Sequence, residues 1–189
     1  MVEKYRVKNC VFQNNNAAAG GAIFTDNVKI RIENCDFTNN SAWQDNGGAL
    51  YLNCADYEDC VIDVVNNVFT RNRAEVNGGA IKWNDIMPRF LTSNQFTENV
   101  ALYGNDIASF PVKIQRVNTT GRLLEALPTL PSGQSAGVQL EYALIDHIDQ
   151  VVKSDNSSEG EIMPYDSHTT VSGSTKITAT DGILKFSDY

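Results

Sequence analysis

One short pattern, Phe-x-x-Asn-x-Ala, occurs four times in this chain of 189 residues and constrains its fold more than any other feature. Its phenylalanines are 25, 32 and 27 residues apart. A motif that returns about every 20 to 50 residues is typical of proteins built from stacked repeats. The phenylalanines and asparagines of the four copies are Phe12 and Asn15, Phe37 and Asn40, Phe69 and Asn72, and Phe96 and Asn99.

A glycine-rich element follows each copy of the pattern. The first three elements carry two adjacent glycines and an alanine, while the fourth reads Gly104-Asn105-Asp106-Ile107. Glycine has no Cβ atom, so these positions predict tight bends of the backbone. The glycines concerned are Gly20, Gly21, Gly47, Gly48, Gly78, Gly79 and Gly104.

Two strand-like runs accompany each copy, one leading to the phenylalanine and one after the glycines. Alternation is clear in residues 28–33, Val-Lys-Ile-Arg-Ile-Glu, which is typical of a strand with one buried face. A sandwich or barrel is the alternative for short strands at this spacing. Neither requires the same residue type at the same step of every hairpin, whereas a parallel β-helix does.

In a parallel β-helix each coil lies ~4.8 Å above the one before, so equivalent side chains stack. The sequence therefore predicts an internal column of phenylalanine rings, with the alanines where the coil bends. The repeat asparagines are expected at a corner, because asparagine tolerates the left-handed region and its amide can bond to the next coil.

The composition changes after residue 117. Residues 118–137 are rich in proline, glycine, serine and threonine, which is typical of a linker. From Val138 onwards short alternating runs are separated by Asp, Ser and Gly, as in an all-β sandwich. The series Leu-x-Asp, Gln-Val-Val, Val-Ser-Gly-Ser-Thr and Thr-Asp-Gly-Ile-Leu-x-Phe-x-Asp resembles immunoglobulin-like (Ig-like) modules of bacterial and ciliate surface proteins. Such a domain would be incomplete here, because a full one has ~100 residues.

The combination of Phe-x-x-Asn with Gly-Gly-Ala-Ile is similar to the repeat of the polymorphic outer membrane proteins. Those proteins belong to the pectin-lyase-like superfamily of right-handed parallel β-helices. The combination also resembles the repeats of very large ciliate cell-surface proteins, in which the segment from Tyr103 to Phe110 would close the helix. The resemblance covers residues 5–115 and implies scaffold residues rather than catalytic ones.

The predicted fold is therefore all-β. A short right-handed parallel β-helix of about four coils is followed by an incomplete Ig-like β-sandwich region. We expect the β-helix in residues 1–117, the linker in residues 118–137 and the Ig-like region in residues 138–189. No signal peptide is visible and the first repeat starts almost at once, which favours a piece of a larger protein.

The four cysteines form two candidate pairs. Cys54 and Cys60 bracket a short acidic loop, and a disulfide would close that loop. Cys10 and Cys35 each lie two residues before a repeat phenylalanine, so their sulfurs should be close. Stacked strand positions have near-parallel Cβ vectors, which suit a disulfide poorly, so this pair is either a disulfide or two buried thiols.

Three asparagines begin an Asn-x-Ser/Thr triplet and would be N-glycan acceptors in a secreted eukaryotic chain. They are Asn39, Asn118 and Asn156. The net charge of -8 and the pI of about 4.7 oppose binding to nucleic acid or anionic lipid. No run of residues is long and apolar enough for a transmembrane helix, so this segment is not expected to contact a membrane itself.

Polysaccharide lyases and hydrolases are frequent in the β-helix superfamily, and they need carboxylates at matched steps of adjacent coils. Asp63 lies six residues before Phe69, whereas Asp36 directly precedes Phe37, so the two do not share a step. The remaining aspartates near the glycine-rich strands also differ in offset: Asp26, Asp45, Asp85 and Asp106. The sequence therefore predicts no catalytic residue and no cofactor.

Other chemistry-bearing side chains have simple structural interpretations. The two histidines, His147 and His168, have no nucleophile motif beside them. The loop acids between the second cysteine pair could attract Ca²⁺ only loosely, and no metal site is predicted. An outward patch suited to sugars, or partial cover for the core, could be formed by Trp43, Trp83, Tyr51 and Tyr103.

We expect this chain to be a structural or adhesive segment of a larger extracellular or cell-surface protein. Its rigid β-helical surface would meet other protein modules or copies of itself, with glycans as a further candidate. The alternative is a carbohydrate-binding or polysaccharide-cleaving β-helix module. A third interpretation is an autotransported bacterial passenger, which shares the coil motifs.

Overall fold

The computed structural model describes residues 5–55, 60–117, 140–164 and 173–187. The chain divides into two compact units, Met1–Phe110 and Pro111–Tyr189. The strands of the first unit are β1 (Tyr5–Lys8), β2 (Val11–Gln13), β3 (Asn16–Ala17), β4 (Ile23–Asp26), β5 (Lys29–Glu33), β6 (Asp36–Thr38), β7 (Ser41–Ala42), β8 (Leu50–Cys54), β9 (Val61–Val65), β10 (Val68–Thr70), β11 (Arg73–Ala74), β12 (Ile81–Asp85), β13 (Gln95–Thr97) and β14 (Ile107–Ala108). A 3₁₀ turn, Leu91–Ser93, precedes β13.

Four parallel sheets form the first unit, and each is a stack of equivalent strands from successive coils. Coil one consists of β1 to β4, coil two of β5 to β8 and coil three of β9 to β12. Coil four consists of the 3₁₀ turn, β13 and β14. The sheet orders are β1-β5-β9, β13-β10-β6-β2, β11-β7-β3 and β14-β12-β8-β4. This arrangement confirms the predicted stacked coils of an all-β fold.

The repeat phenylalanines stack face to face along the inside of the coils, as predicted. Phe12, Phe37, Phe69 and Phe96 are register partners in the sheet made of β2, β6, β10 and β13. Successive ring centroids are 4.8, 4.8 and 5.2 Å apart, with interplanar angles of 3°, 7° and 10°. The ring spacing matches the ~4.8 Å rise between strands, which is why one residue type suits every coil.

The corner after each phenylalanine strand differs from the prediction. The left-handed residue is the one directly before each repeat asparagine: Asn14 (φ 57°), Asn39 (φ 52°), Arg71 (φ 55°) and Glu98 (φ 55°). The expectation that the repeat asparagines themselves adopt this conformation is wrong. The left-handed residue turns the chain, and the asparagine after it then places its amide along the stack.

The two glycines of each of the first three elements have separate roles. The first has positive φ, as in Gly47 with 69° and Gly78 with 66°. The second lies where two coils touch, because a Cβ atom built on Gly48 would be 2.1 Å from the carbonyl oxygen of Gly79 in the next coil. The bend therefore needs the first glycine, and the close approach of the coils needs the second.

The described residues of the second unit form two small antiparallel sheets. Its strands are β15 (Lys113–Val117), β16 (Leu140–Ile145), β17 (Glu159–Glu161), β18 (Lys176–Thr178) and β19 (Ile183–Phe186), in the orders β15-β16-β19 and β17-β18. Leu140, Leu144, Leu184 and Phe186 are buried in its core. The pairing of β15 with β16 places residues 113–117 with this unit. The three predicted segments remain predictions, as does the Ig-like character, and residues 118–137 lie outside the described residues.

Candidate functional surface

A ladder of asparagine amides runs beside the phenylalanine column. The Oδ1 atom of Asn72 accepts hydrogen bonds from the backbone N–H and the Nδ2 of Asn40, both at 3.0 Å. Its Nδ2 donates to Asn99 Oδ1 and to the carbonyl oxygen of Phe37, also at 3.0 Å. Asn40 and Asn72 are buried, so every polar atom of these amides needs such a partner.

Replacing Asn72 with aspartate should lower the free energy of unfolding of the first unit by about 3 kcal/mol. The change removes both Nδ2 donors and places a carboxylate in a buried ladder that offers it acceptors. Urea unfolding followed by tryptophan fluorescence measures the loss. Asn15→Asp is the matched control at the edge of the stack, where the side chain is exposed, and it should cost less than about 1 kcal/mol. Equal losses at both positions would contradict the buried ladder.

The first pair of cysteines takes part in a second column of the same kind. The backbone N–H of Cys35 donates to Asn67 Oδ1 at 2.9 Å, and that of Asn67 donates to Asn94 Oδ1 at 2.8 Å. One coil earlier, the N–H of Cys10 donates to Cys35 Sγ at 3.4 Å. Cys10 and Cys35 are free thiols, and burial raises the pKa of the Cys35 thiol.

The second pair of cysteines forms the disulfide Cys54–Cys60, with Cα atoms 5.6 Å apart. The acids between them, Asp56, Glu58 and Asp59, lie outside the described residues. Among the residues that are described, no group of three His, Cys, Asp or Glu side chains could hold a metal ion.

Charged side chains form a column on the sheet of β1, β5 and β9. Parallel register aligns Arg6 with Arg31, Arg31 with Asp63, and Asp63 with Arg89. Asp63 has a side-chain exposure of 2%, and its two oxygens accept bonds from Arg31 Nη1 at 3.2 Å and Arg89 Nε at 2.6 Å. We call Arg6, Arg31, Glu33, Asp63 and Arg89 the guanidinium column.

Glu33 is the second acid of this column. It accepts bonds from the guanidinium groups of Arg6 and Arg31, and Lys8 Nζ is 3.3 Å away. The hydrogen bonds from Arg31 and Arg6 lower the pKa of Glu33 from 4.5 to about 2. The guanidinium groups of Arg31 and Arg89 also lie over the ring of Phe90, each 5.9 Å from its centroid.

The depressed pKa of Glu33 predicts a pH-dependent contribution to stability. Because the folded pKa is below the ordinary value, the contribution is complete above about pH 4.5 and is lost as the pH falls towards 2. The free energy of unfolding of Glu33→Gln should therefore be below that of the wild type at pH 7, and the difference should close near pH 2. Glu98→Gln, at an exposed ion pair with Arg71, should show little difference at either pH. A constant difference for Glu33→Gln across this range would contradict the assignment.

The structure does not bring the candidate aspartates named from the sequence together as a catalytic pair. Both oxygens of Asp63 are bonded by arginines, Asp36 is exposed on another sheet, and Asp26 accepts a bond from Asn53 Nδ2 at 2.7 Å. His147 is exposed in a turn after β16, and His168 lies outside the described residues.

The four aromatic residues considered as a sugar-binding patch differ widely in solvent exposure. Trp83 is 0% exposed within the core and Tyr103 is 4% exposed, while Trp43 is 59% exposed. The hydroxyl of Tyr51 accepts a hydrogen bond from Asn84 Nδ2 at 2.8 Å. Because Trp83 and Tyr103 are buried, the four side chains do not form one exposed platform.

Two of the glycan candidates lie on the surface. Asn39 is exposed at its corner, and Asn156 is exposed with its Oδ1 accepting the N–H of Asp181 at 2.9 Å. Asn118 lies outside the described residues. Glycosylation at these three positions stays a prediction.

The last coil ends the stack with side chains. Asp106 Oδ1 accepts from Asn99 Nδ2 at 3.0 Å, which is the bond that a fifth asparagine would otherwise take. Asn105 Oδ1 accepts from the N–H of Ala101 at 3.2 Å, whereas the equivalent Ala74 donates to the next coil. We call Asn105 and Asp106 the end cap. Both stand where the earlier glycine-rich elements have glycine and alanine. This divergence was the signal in the sequence for the end of the stack.

Comparison with known families finds a likeness in the first two coils. Residues 9–26 and 34–53 match the Chlamydia polymorphic membrane protein repeat. The matched segments contain the first two copies of Phe-x-x-Asn-x-Ala and their glycine-rich elements. No curated protein and no solved structure matches this chain. The likeness to the polymorphic membrane protein repeat is thus confirmed for these segments, and the pectin-lyase-like and ciliate likenesses stay predictions.

Sequence reasoning missed the guanidinium column, although a signal for it was present. Arg6, Arg31 and Asp63 each lie six residues before a repeat phenylalanine. A catalytic pair requires two acids at matched steps, and the charges at this step are of both signs instead, so the pattern expected for catalysis does not include them. Among the described residues, the structure also has no helix long and apolar enough to span a membrane.

Proposed function

We propose that this chain is a structural or adhesive segment of a larger extracellular or cell-surface protein. The observation that carries the proposal is the continuous stack of phenylalanine rings and asparagine amides in one register through all four coils. Such a stack holds the outer faces of the coils at fixed positions. The match of two coils to a repeat of Chlamydia polymorphic membrane proteins supports a place at a cell surface.

The outward face of the first sheet is suited to contact rather than catalysis. Its acids are bound by arginines, so the guanidinium column presents a fixed pattern of charge with no free carboxylate pair at the ion-paired positions. The burial of Trp83 and Tyr103 gives the carbohydrate alternative less support. A non-enzymatic role is therefore the function that the geometry favours.

Antibodies against the folded chain test its location. Intact cells of the source organism should stain as strongly as permeabilised cells, and staining only after permeabilisation would contradict a surface role. Adhesion is tested with beads coated with the chain, which should attach to such cells or to one another. Beads coated with Gly48→Ala, a variant expected to lose the coil packing, should attach less. Equal attachment would show that the β-helix does not carry the adhesion.

A further inference from the structure

The two ends of the coil stack differ in their chemistry. At coil four, the end cap supplies acceptors to Asn99 Nδ2 and to the N–H of Ala101. At coil one, the strands β1 to β4 are the edge strands of all four sheets. Among the described residues, no hydrogen-bond donor reaches Asn15 Oδ1, whereas the Oδ1 of Asn40 and of Asn72 each accepts two bonds from the coil before.

The apolar columns also continue to the edge of coil one. Phe12 stacks on Phe37 through one face, and within the described chain no ring lies on its other face. Val7 and Phe12 are half-buried, while their register partners Ile32 and Phe37 are 0% exposed. Coil one therefore presents, on its free side, the same ring, amide and strand edges that join the other coils.

The end cap excludes coil four of a second copy as the occupant of this edge. In coils one to three the second glycine has no Cβ, and a Cβ at Gly79 would be 2.2 Å from the carbonyl oxygen of Asn105 and 2.6 Å from the backbone nitrogen of Val100. Asn105 occupies the equivalent position in coil four and carries a side chain. A further coil cannot approach there, so the coil-four end of one copy cannot dock on coil one of another.

We propose that the free edge of coil one binds an additional β-helix coil from another polypeptide segment. This coil carries the same Phe-x-x-Asn-x-Ala pattern with a Gly-Gly element, and it lies parallel to β1–β4 and in register. Its asparagine donates to Asn15 Oδ1, its phenylalanine stacks on Phe12, and its second glycine admits the backbone of coil one. The inference rests on the proposed function as a surface segment and names the partner and the end that receives it.

A synthetic peptide of residues 61–85 provides the test, because it contains all of β9 to β12, with Phe69, Asn72 and both glycines, and lacks cysteine. A fluorescent form of this peptide is titrated with the full chain, and anisotropy is measured. We expect saturable binding, with hydrogen exchange slowed in β1 and β2. The matched control peptide carries Gly79→Asn, which copies the residue of the end cap, and it should not bind.

Two variants of the full chain locate the site. Asn15→Ala should weaken binding of the peptide by about 10-fold, which corresponds to about 1.4 kcal/mol. Asn99→Ala, in the same ladder at the capped end, should leave the affinity unchanged when the variant is folded by circular dichroism. No saturable binding, equal binding of the Gly79→Asn peptide, or protection of β13 in place of β2 would overturn the proposal.

Sedimentation of the full chain distinguishes binding of an added coil from dimerisation of the chain. A monomer is expected at concentrations where the peptide binds. A dimer with slowed exchange in β1 and β2 would show that a second copy covers the edge, and would also overturn the proposal. Failure of the peptide to bind leaves the antibody and bead experiments unaffected, so the two proposals fail separately.

Discussion

Replacing Phe69 with alanine is expected to lower the free energy of unfolding of the first unit by about 4 kcal/mol. Phe69 is 0% exposed and stacks between Phe37 and Phe96, at centroid distances of 4.8 and 5.2 Å. Its removal leaves a cavity between two rings whose positions are fixed by the strand rise. The neighbouring coils cannot close that cavity without breaking the register of the sheets.

Urea unfolding followed by tryptophan fluorescence measures this loss. Both tryptophans of the chain, Trp43 and Trp83, lie in the first unit, so the signal reports on that unit alone. Phe24→Ala is the control, because Phe24 is 55% exposed and contacts the ring of Tyr51 on the surface. This control should cost less than about 1 kcal/mol. Similar costs for the two variants would show that the ring column adds no special stability.

The change Gly48→Ala should cost about 3 kcal/mol or more although it adds only one methyl group. The new Cβ would lie 2.1 Å from the carbonyl oxygen of Gly79 and 2.6 Å from the carbonyl carbon of Arg73. Both are backbone atoms of coil three, so no side-chain rotation relieves the overlap. The two coils must separate, and the hydrogen bonds between them then lengthen.

Asn105→Ala is the matched control for this glycine. Asn105 lies at the same step of coil four and already has a Cβ, so alanine brings no overlap at this position. This variant loses only the hydrogen bond from the N–H of Ala101 to Asn105 Oδ1, so its free energy of unfolding should fall by about 1 kcal/mol. Thermal unfolding by circular dichroism compares the two variants. A Gly48→Ala protein as stable as the wild type would refute the close packing of the coils.

The sequence predicted the parts of the fold that depend on repetition. Each repeat phenylalanine faces the same kind of neighbour, so its recurrence indicated the ring column and the register of the sheets. The hydrogen bonds between the side-chain amides of Asn40, Asn72 and Asn99 were expected for the same reason. Glycine pairs at one step indicated a bend, whereas the close approach of two backbones at the second glycine is visible only in the packed coils.

The corner conformation and the charges could not be predicted in the same way. Arg71 and Glu98 occupy the left-handed corner where Asn14 and Asn39 stand in the earlier coils, so residue type did not mark the position. Between coils, the contacts of the guanidinium column join residues that are 26 to 32 positions apart, and the charge at one step differs from coil to coil. Their contacts depend on side-chain conformations that local sequence does not determine.

The sequence by itself determined that similar coils stack, because phenylalanine and asparagine side chains repeated at a fixed step find their stacking and hydrogen-bond partners in one another. Only the tertiary structure decided how the stacking stops after the fourth coil. That decision depends on the distance between two backbones at Gly79 and Asn105, and on side-chain oxygens at Asn105 and Asp106 that replace the acceptors of a missing coil. Such distances exist only once the coils are packed.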